Sequence, residues 1–312
     1  MSVWSKWLES LDYEYIILPT CTRHLSIRST CEKCVNVCIE KAISIINNKP
    51  MIERDKCIEC GKCIAACPVQ AVAGIYPKRK IIHNQLVAKG EHSPTQKELL
   101  ILYKKGINTI IAETESILES WQNQIDEVNQ ILIKIGEEPF SIIMESVNEI
   151  TYASRRELFF LWKAQGKSAI NEIVPATWRF NYQDMDLSKY YKNIQFTKIT
   201  IDQDKCTLCH VCEELCRKNC FNNRKEFFVL NSQGCENCQL CQDACPESAI
   251  TIEAVISKAE ETILPIYEKT CTSCQKTYYT LSEEDEKCVV CTKKEKILRR
   301  KERARTHLSF GN

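Results

Sequence analysis

The chain has 312 residues, a formal net charge of +1, 8 glycines and 21 cysteines, a length that suggests about two domains with room for a third small one. With 27% charged and 44% hydrophobic residues it reads as neither a disordered chain nor a membrane protein, because no stretch approaches the roughly 18 consecutive apolar residues of a membrane span. The first twenty residues lack a basic end, an apolar block and a small-residue cleavage site, so the expectation is a protein of the cytoplasm. There thiols stay reduced, and at this density they read as metal ligands and not as disulfides. The glycines exclude a further class. No two lie closer than 13 positions, so neither a GxGxxG nor a GxxxxGK phosphate loop can be built.

In chain order the first cysteine run is Cys31-x2-Cys34-x3-Cys38, with Arg28 where a cysteine three places earlier would complete it. Cys21 is the nearest upstream thiol. Either a longer loop delivers it as the fourth ligand, or it is an ordinary buried thiol beside a three-cysteine site. The second run, Cys57-x2-Cys60-x2-Cys63-x3-Cys67-Pro68, has the spacing and the proline of a bacterial [4Fe–4S] run. So does the fourth, Cys235-x2-Cys238-x2-Cys241-x3-Cys245-Pro246. Zinc knuckles use paired CxxC units and not this 2-2-3 spacing. The third run, Cys206-x2-Cys209-x2-Cys212-x3-Cys216, carries Arg217 in place of the proline. Its Cys206-Thr-Leu-Cys209-His210 reads alone as a haem-attachment motif, but Cys212 and Cys216 continue the iron–sulfur spacing. Four residues after each run's last cysteine stand Ala42, Ala71, Cys220 and Ala249. Cys220 is thus expected to be a small packing residue and not a further ligand.

Two pairs of such runs resemble the bacterial 2[4Fe–4S] ferredoxin fold repeated within one chain, a polyferredoxin, and the lead-ins Asp55-Lys56-Cys57 and Asp204-Lys205-Cys206 support an internal duplication. The resemblance implies short strands at 42–46, 50–53, 227–230 and 249–254. It also implies crossed ligand sets, in which each run lends its last cysteine to the other cluster. Cluster 1 would take Cys21, Cys31, Cys34 and Cys67, and cluster 2 would take Cys57, Cys60, Cys63 and Cys38. Cluster 3 would take Cys206, Cys209, Cys212 and Cys245, and cluster 4 would take Cys235, Cys238, Cys241 and Cys216. Similar polyferredoxins serve as electron-transfer subunits beside molybdopterin oxidoreductases, hydrogenases and heterodisulfide-reductase-like enzymes.

Residues 80–200 hold no cysteine. Apolar periodicity predicts helices over 93–105 and 116–135, stopped at Gly106 and Gly136, with strands at 107–112 and 140–144. A further helix is expected to open at Ser154 with a capping box ending on Glu157, which outweighs a twin-arginine reading of residues 154–163. The order suggests a small α/β insert. Further on, Cys271-x2-Cys274-x13-Cys288-x2-Cys291 has the paired-knuckle spacing of a zinc ribbon, which a mononuclear iron site shares. Residues 293–305 carry eight Lys/Arg against two Glu, a solvated helix or a docking tail.

The expected architecture is α+β: a ferredoxin unit at 1–79, the insert at 80–200, a second ferredoxin unit at 201–258, and zinc ribbon plus basic tail at 259–312. The expected function is an electron carrier relaying single electrons through four [4Fe–4S] clusters, with one Zn2+ or mononuclear iron, beside a catalytic oxidoreductase subunit. No nucleophile, acid–base pair or substrate pocket is legible. The rival expectations are a cluster-bearing sensor that reads nucleic acid through ribbon and tail, and a scaffold whose metals only staple small units.

Overall fold

The computed structural model describes residues 15–145 and 182–309, apart from 75, 78 and 90–92, together with the strand at 176–178. The chain divides into two compact units, Met1–Ile194 with Ile256–Lys258, and Gln195–Val255 with Ala259–Asn312. The fold mixes α and β elements. No helix among the described residues is long and apolar enough to cross a membrane.

In the first unit β1 (Ile16–Ile17) pairs antiparallel with β4 (Val72–Ala73), and β2 (Ile43–Ile46) with β3 (Lys49–Ile52). Asn47 and Asn48, both left-handed at φ 50° and 64°, close the β2–β3 hairpin, a conformation asparagine tolerates better than most residues. The short helices Lys33–Asn36 and Lys62–Ala66 pack on each other. A five-stranded sheet follows in the order β8-β7-β6-β5-β9, built from β5 (Arg79–Ile82), β6 (Gln85–Ala88), β7 (Thr109–Ala112), β8 (Ser141–Met144) and β9 (Ala176–Trp178). The runs β6-β7 and β7-β8 are parallel, so a helix bridges each step.

Those helices begin and end for local reasons. Gln96–Lys104 starts at Thr95, which forms a reciprocal capping box with Glu98, and gives way at Gly106, φ 86°. Glu115–Lys134 starts at Thr114, whose Oγ1 accepts the Ile117 amide, and gives way at Gly136. It buries Trp121, Ile125, Val128 and Leu132 at three- and four-residue steps, one helix face. The helix expected to open at Ser154 lies outside the described residues, as does the rest of the 154–163 motif.

A buried ionic cluster ties this sheet to the cysteine-bearing part. Glu98, with a fully buried side chain, accepts from Arg79 Nε at 2.7 Å and Nη2 at 3.0 Å, and from the Tyr76 hydroxyl at 2.7 Å. The Arg79 guanidinium lies 5.8 Å from the buried Trp121 ring centroid. Tyr76 in turn packs against Gly61, in the loop of the second cysteine run. A Cβ at Gly61 would stand 2.6 Å from Pro77 Cδ and 2.9 Å from Tyr76, and its φ of 73° suits glycine. The sheet and the first two cysteine runs fall in one compact unit.

In the second unit β10 (Ile194–Ile201) pairs with β13 (Ile250–Lys258), and β11 (Phe221–Asn223), β12 (Phe227–Asn231) and β14 (Glu261–Pro265) form an antiparallel sheet. The helices Val211–Leu215 and Leu240–Ala244 pack on each other. Ile199, Cys220, Phe221, Phe228, Leu230, Cys241 and Leu264 make the core. The hairpin of β15 (Tyr267–Thr270) and β16 (Thr277–Thr280) continues into Leu281, fully buried in that same core. Ser282 Oγ donates to Asp204 at 2.8 Å. Residues Ala259–Asn312 fall in the same compact unit. The helix Val289–Ser309 carries the basic tail.

Replacing Glu98 with Ala leaves Arg79 buried without its carboxylate, a change that costs about 3–5 kcal/mol. The expected outcome is a lower urea midpoint for the unfolding of the first unit; an unchanged midpoint would show that the pair contributes nothing.

Candidate metal centres

The cysteine runs repeat one backbone design. In the second, third and fourth runs the residue before the second cysteine is left-handed (Glu59, Leu208 and Asn237, φ 51–55°), and so is the residue after it (Gly61, His210 and Gln239, φ 61–73°). Three places past the last cysteine, all four runs repeat the device at Lys41, Gln70, Asn219 and Ser248, φ 48–51°. Such residues cost about 1–3 kcal/mol each and persist where the surroundings over-determine them. Alternating left- and right-handed residues turn successive N–H groups to one side, a concavity that attracts anions and recurs at iron–sulfur sites. The amides one residue further on are aimed in the same way. Ala42 N–H donates to Cys38 Sγ at 3.2 Å, Ala71 to Cys67 at 3.1 Å, Cys220 to Cys216 at 3.4 Å and Ala249 to Cys245 at 3.3 Å.

The thiols meet in crossed groups. A cavity of about 270 Å3 in the first unit is lined by Cys57, Cys60 and Cys63 of the second run and by Cys38 of the first, with Ile39, Ile43, Ile52 and Ile58 among its walls. A small cavity in the second unit is lined by Cys206, Cys209 and Cys212 of the third run and Cys245 of the fourth. Cys34 has Cys67, Cys31 and Cys21 as neighbours, and burial first, then their charge, pushes its thiol up to about 12. Cys241 has Cys238, Cys235 and Cys216 about it and is raised by the same two causes in the same order. Burial likewise pushes Cys63 and Cys212 up to about 12. Four thiols crowded in apolar surroundings resist ionisation unless a cation shares the space. That donor set, with amides aimed at its sulfurs, fits iron–sulfur clusters. Within each unit the two groups adjoin, for Cys34 is also a neighbour of Cys63 and Cys212 of Cys241.

Sequence reasoning missed two supports. The first run lacks the left-handed pair, since Glu32 stands at φ −129°. Instead a loop of nine residues runs from Cys21 to Cys31, and Arg23 fastens it. Its Nε donates to the Cys31 carbonyl at 2.6 Å, Nη1 to Asn48 Oδ1 at 2.5 Å and Nη2 to Glu32 Oε1 at 3.1 Å. A lone arginine in a loop gives no signal in one sequence. The second support is Tyr15, whose buried ring covers Gly74 and whose hydroxyl donates to the Glu59 carbonyl at 3.0 Å, closing the second-run loop. His210 caps the helix Val211–Leu215 with a left-handed backbone, its ring between Glu213 and Asn223. Cys220 is 2% exposed in the core, against which Cys216 and Cys235 pack, and its thiol donates to the Lys218 carbonyl at 3.9 Å.

The last four cysteines form a tighter set. The sulfurs of Cys271, Cys274, Cys288 and Cys291 all lie within 4.8 Å of one another, with Cys274 and Cys288 at 3.9 Å. A single ion at about 2.3 Å from each of four tetrahedral thiolates sets them about 3.8 Å apart. The Cys288 amide donates to Cys271 Sγ at 3.3 Å and holds that thiol's pKa down. Among the described residues this is the one group of potential ligands so close-set.

Comparison with known proteins bears on the first two runs. Residues 28–71 match the 4Fe-4S dicluster domain family. The match takes in the seven cysteines from Cys31 to Cys67 and opens at Arg28, leaving Cys21 outside. Over 47 residues, 15% of the chain, it is 34% identical to the delta subunit of an NADH-dependent phenylglyoxylate dehydrogenase from Aromatoleum evansii, half of whose length is covered. Over 68 residues, 20% of the chain, it is 28% identical to an uncharacterized ferredoxin of Methanocaldococcus jannaschii, with 88% of that protein covered. The chain is thus similar to ferredoxin-type iron–sulfur proteins and carries a 4Fe–4S dicluster domain of that type.

Arg23→Met keeps the aliphatic stem and removes all three hydrogen bonds that fasten the Cys21 loop. If that loop delivers a ligand, the variant loses about four iron atoms per chain relative to wild type in anaerobically prepared protein. Full iron content in the variant would show that the loop needs no such fastening.

Proposed function

We propose that the chain is an electron-transfer iron–sulfur protein that relays single electrons through four [4Fe–4S] clusters, as a subunit or partner of a larger oxidoreductase. The observation that carries the reading is the crossed lining of the cavities. Three cysteines come from one run and the fourth from the other, which keeps two ligand groups adjacent in each unit. When bound, each cluster accepts or gives one electron, at a potential set by solvent access and hydrogen bonds to its sulfurs.

This chain's own residues would do the rest. The sixteen cysteines of the four runs serve as ligands, in the crossed sets expected from the sequence: Cys21, Cys31, Cys34 and Cys67; Cys57, Cys60, Cys63 and Cys38; Cys206, Cys209, Cys212 and Cys245; Cys235, Cys238, Cys241 and Cys216. Ile39, Ile43, Ile52 and Ile58 keep water from the second set, and Ile201, Leu208, Phe228 and Ile250 from the third. Residues 1–79 and 201–258 act as the two dicluster modules, 80–200 as spacer or docking element, and 259–312 as ribbon and tail. Cys271, Cys274, Cys288 and Cys291 close round Zn2+, with no open position for substrate. That leaves the ribbon a structural task, consistent with Leu281 and Ser282 joining it to the core. The reading needs these sulfurs reduced, and the compartment proposed for them is the cytoplasm. The named dehydrogenase subunit makes a catalytic oxidoreductase the first partner to seek.

Anaerobically purified protein should be brown and hold about 16 iron and 16 sulfide per chain with one zinc. Dithionite should bleach it reversibly, and the reduced form should pass electrons to an acceptor dye. Colourless protein with zinc in place of iron ends the proposal.

A further inference from the structure

The third-run loop has two faces. One lines the small cavity of its own thiols. The other forms the floor of a cleft of about 1430 Å3 in the second unit. The β11–β12 turn closes one side of that cleft, and the four-cysteine ribbon with the start of the helix Val289–Ser309 closes the other. Small-molecule sites run to about 300–1,000 Å3, so a cleft of this size and openness suits a segment of a macromolecule. Its charges are unevenly matched. Lys205, Lys287 and Lys293 are tied to Asp202, Glu295 and Glu247, while Asp204 and Asp285 accept from the hydroxyls of Ser282 and Thr280. Arg224, Lys225, Lys276 and Lys296 line the cleft exposed, without an ion-pair partner among the described residues. The same lining exposes Tyr279, Val289 and Val290, the last 70% exposed. The helix in its wall goes on to carry eight Lys/Arg against two Glu over residues 293–305, which extends the positive charge beyond the cleft. Exposed apolar side chains among unpaired bases are the makeup of a protein-docking surface. The exposed Glu226 and Glu268 in the lining would repel a polyphosphate chain but fit a protein surface of mixed charge with an acidic excess.

We propose that this cleft docks a carboxylate-rich surface of the redox partner protein, and that the third cluster is the port through which one electron passes between them. The inference rests on the four-cluster reading given above. Cys206, Thr207, Leu208, His210 and Glu247 line both the cleft and the cavity of the third thiol group, so the wall between the two is a single layer of residues. Complementary charge steers the partner in and weakens with salt, and the apolar side chains exclude water once it is seated. The electron leaves the reduced third cluster, which is oxidised, and reduces a flavin or iron–sulfur centre of the partner; transfer the other way uses the same contact.

The test uses the full chain, prepared anaerobically with its iron counted, and a Glu-rich synthetic peptide ending in a flavin as probe. Calorimetry should show saturable binding that weakens with added salt. Arg224→Glu combined with Lys276→Glu should weaken it about tenfold or more, whereas Arg299→Glu combined with Arg300→Glu, the same charge change outside the lining, should weaken it less than about twofold. After photoreduction the bound flavin should bleach the clusters in a phase independent of protein concentration. The cleft variant should lose that phase and keep its reaction with free flavin. No binding, equal weakening by both variant pairs, or displacement of the peptide by single-stranded DNA of matched charge overturns the docking proposal. Binding to fully loaded protein without the fast phase overturns the port. Protein with far fewer than about 16 iron that still binds the peptide overturns instead the four-cluster reading beneath it.

Discussion

Thiols gathered in apolar pockets cannot ionise together unless positive charge is supplied, and much of this molecule is arranged around that constraint. Burial and mutual repulsion push Cys34, Cys63 and Cys212 up to about 12. The backbone answers with amides aimed at sulfur, and it accepts left-handed residues at Lys41, Gln70, Asn219 and Ser248 to do so. None of these is glycine, so the strain is carried against side-chain preference. Such strain is tolerable where ligands bound to metal return more than the loop gives up.

The supports outside the runs follow from the same need. A ligand loop held only by its own turns would sample conformations in which the sulfurs diverge. Tyr15 and Tyr76 press on the second-run loop from two sides, and the buried Glu98 fixes Tyr76 through its hydroxyl. Arg23 does for the Cys21 loop what the left-handed pair does elsewhere. In the second unit the Leu281 and Ser282 contacts brace the lead-in to the third run at Asp204. The five-stranded sheet and the β15–β16 hairpin are thereby joined to cysteine-bearing loops.

Several elements were legible because their cause is local. The strands at 42–46 and 50–53 appear as β2 and β3, displaced by a residue, and the strands at 227–230 and 249–254 as β12 and β13. The helices ending at Gly106 and Gly136 were readable from periodicity and caps, since both are properties of contiguous residues. The left-handed positions were not. Glu59 and Leu208 carry no propensity for φ above zero, and the loop geometry that recurs in the second, third and fourth runs imposes it. Cys220 was readable as a small buried side chain from its alignment with three alanines, and it is 2% exposed.

What the sequence determined alone was the chemistry: the number of thiols, their 2-2-3 spacing, and the single-ion spacing of the last four. These are short-range facts, because turns of two or three residues leave a thiol few places to point. Tertiary structure decided which thiols share a cavity, that the five-stranded sheet and the β15–β16 hairpin pack with cysteine-bearing loops, and that Arg23, Glu98 and Tyr15 brace those loops. Those outcomes depend on burial and on partners up to 115 residues apart, as Met185 is from Gln70, and no local pattern encodes contacts at such range.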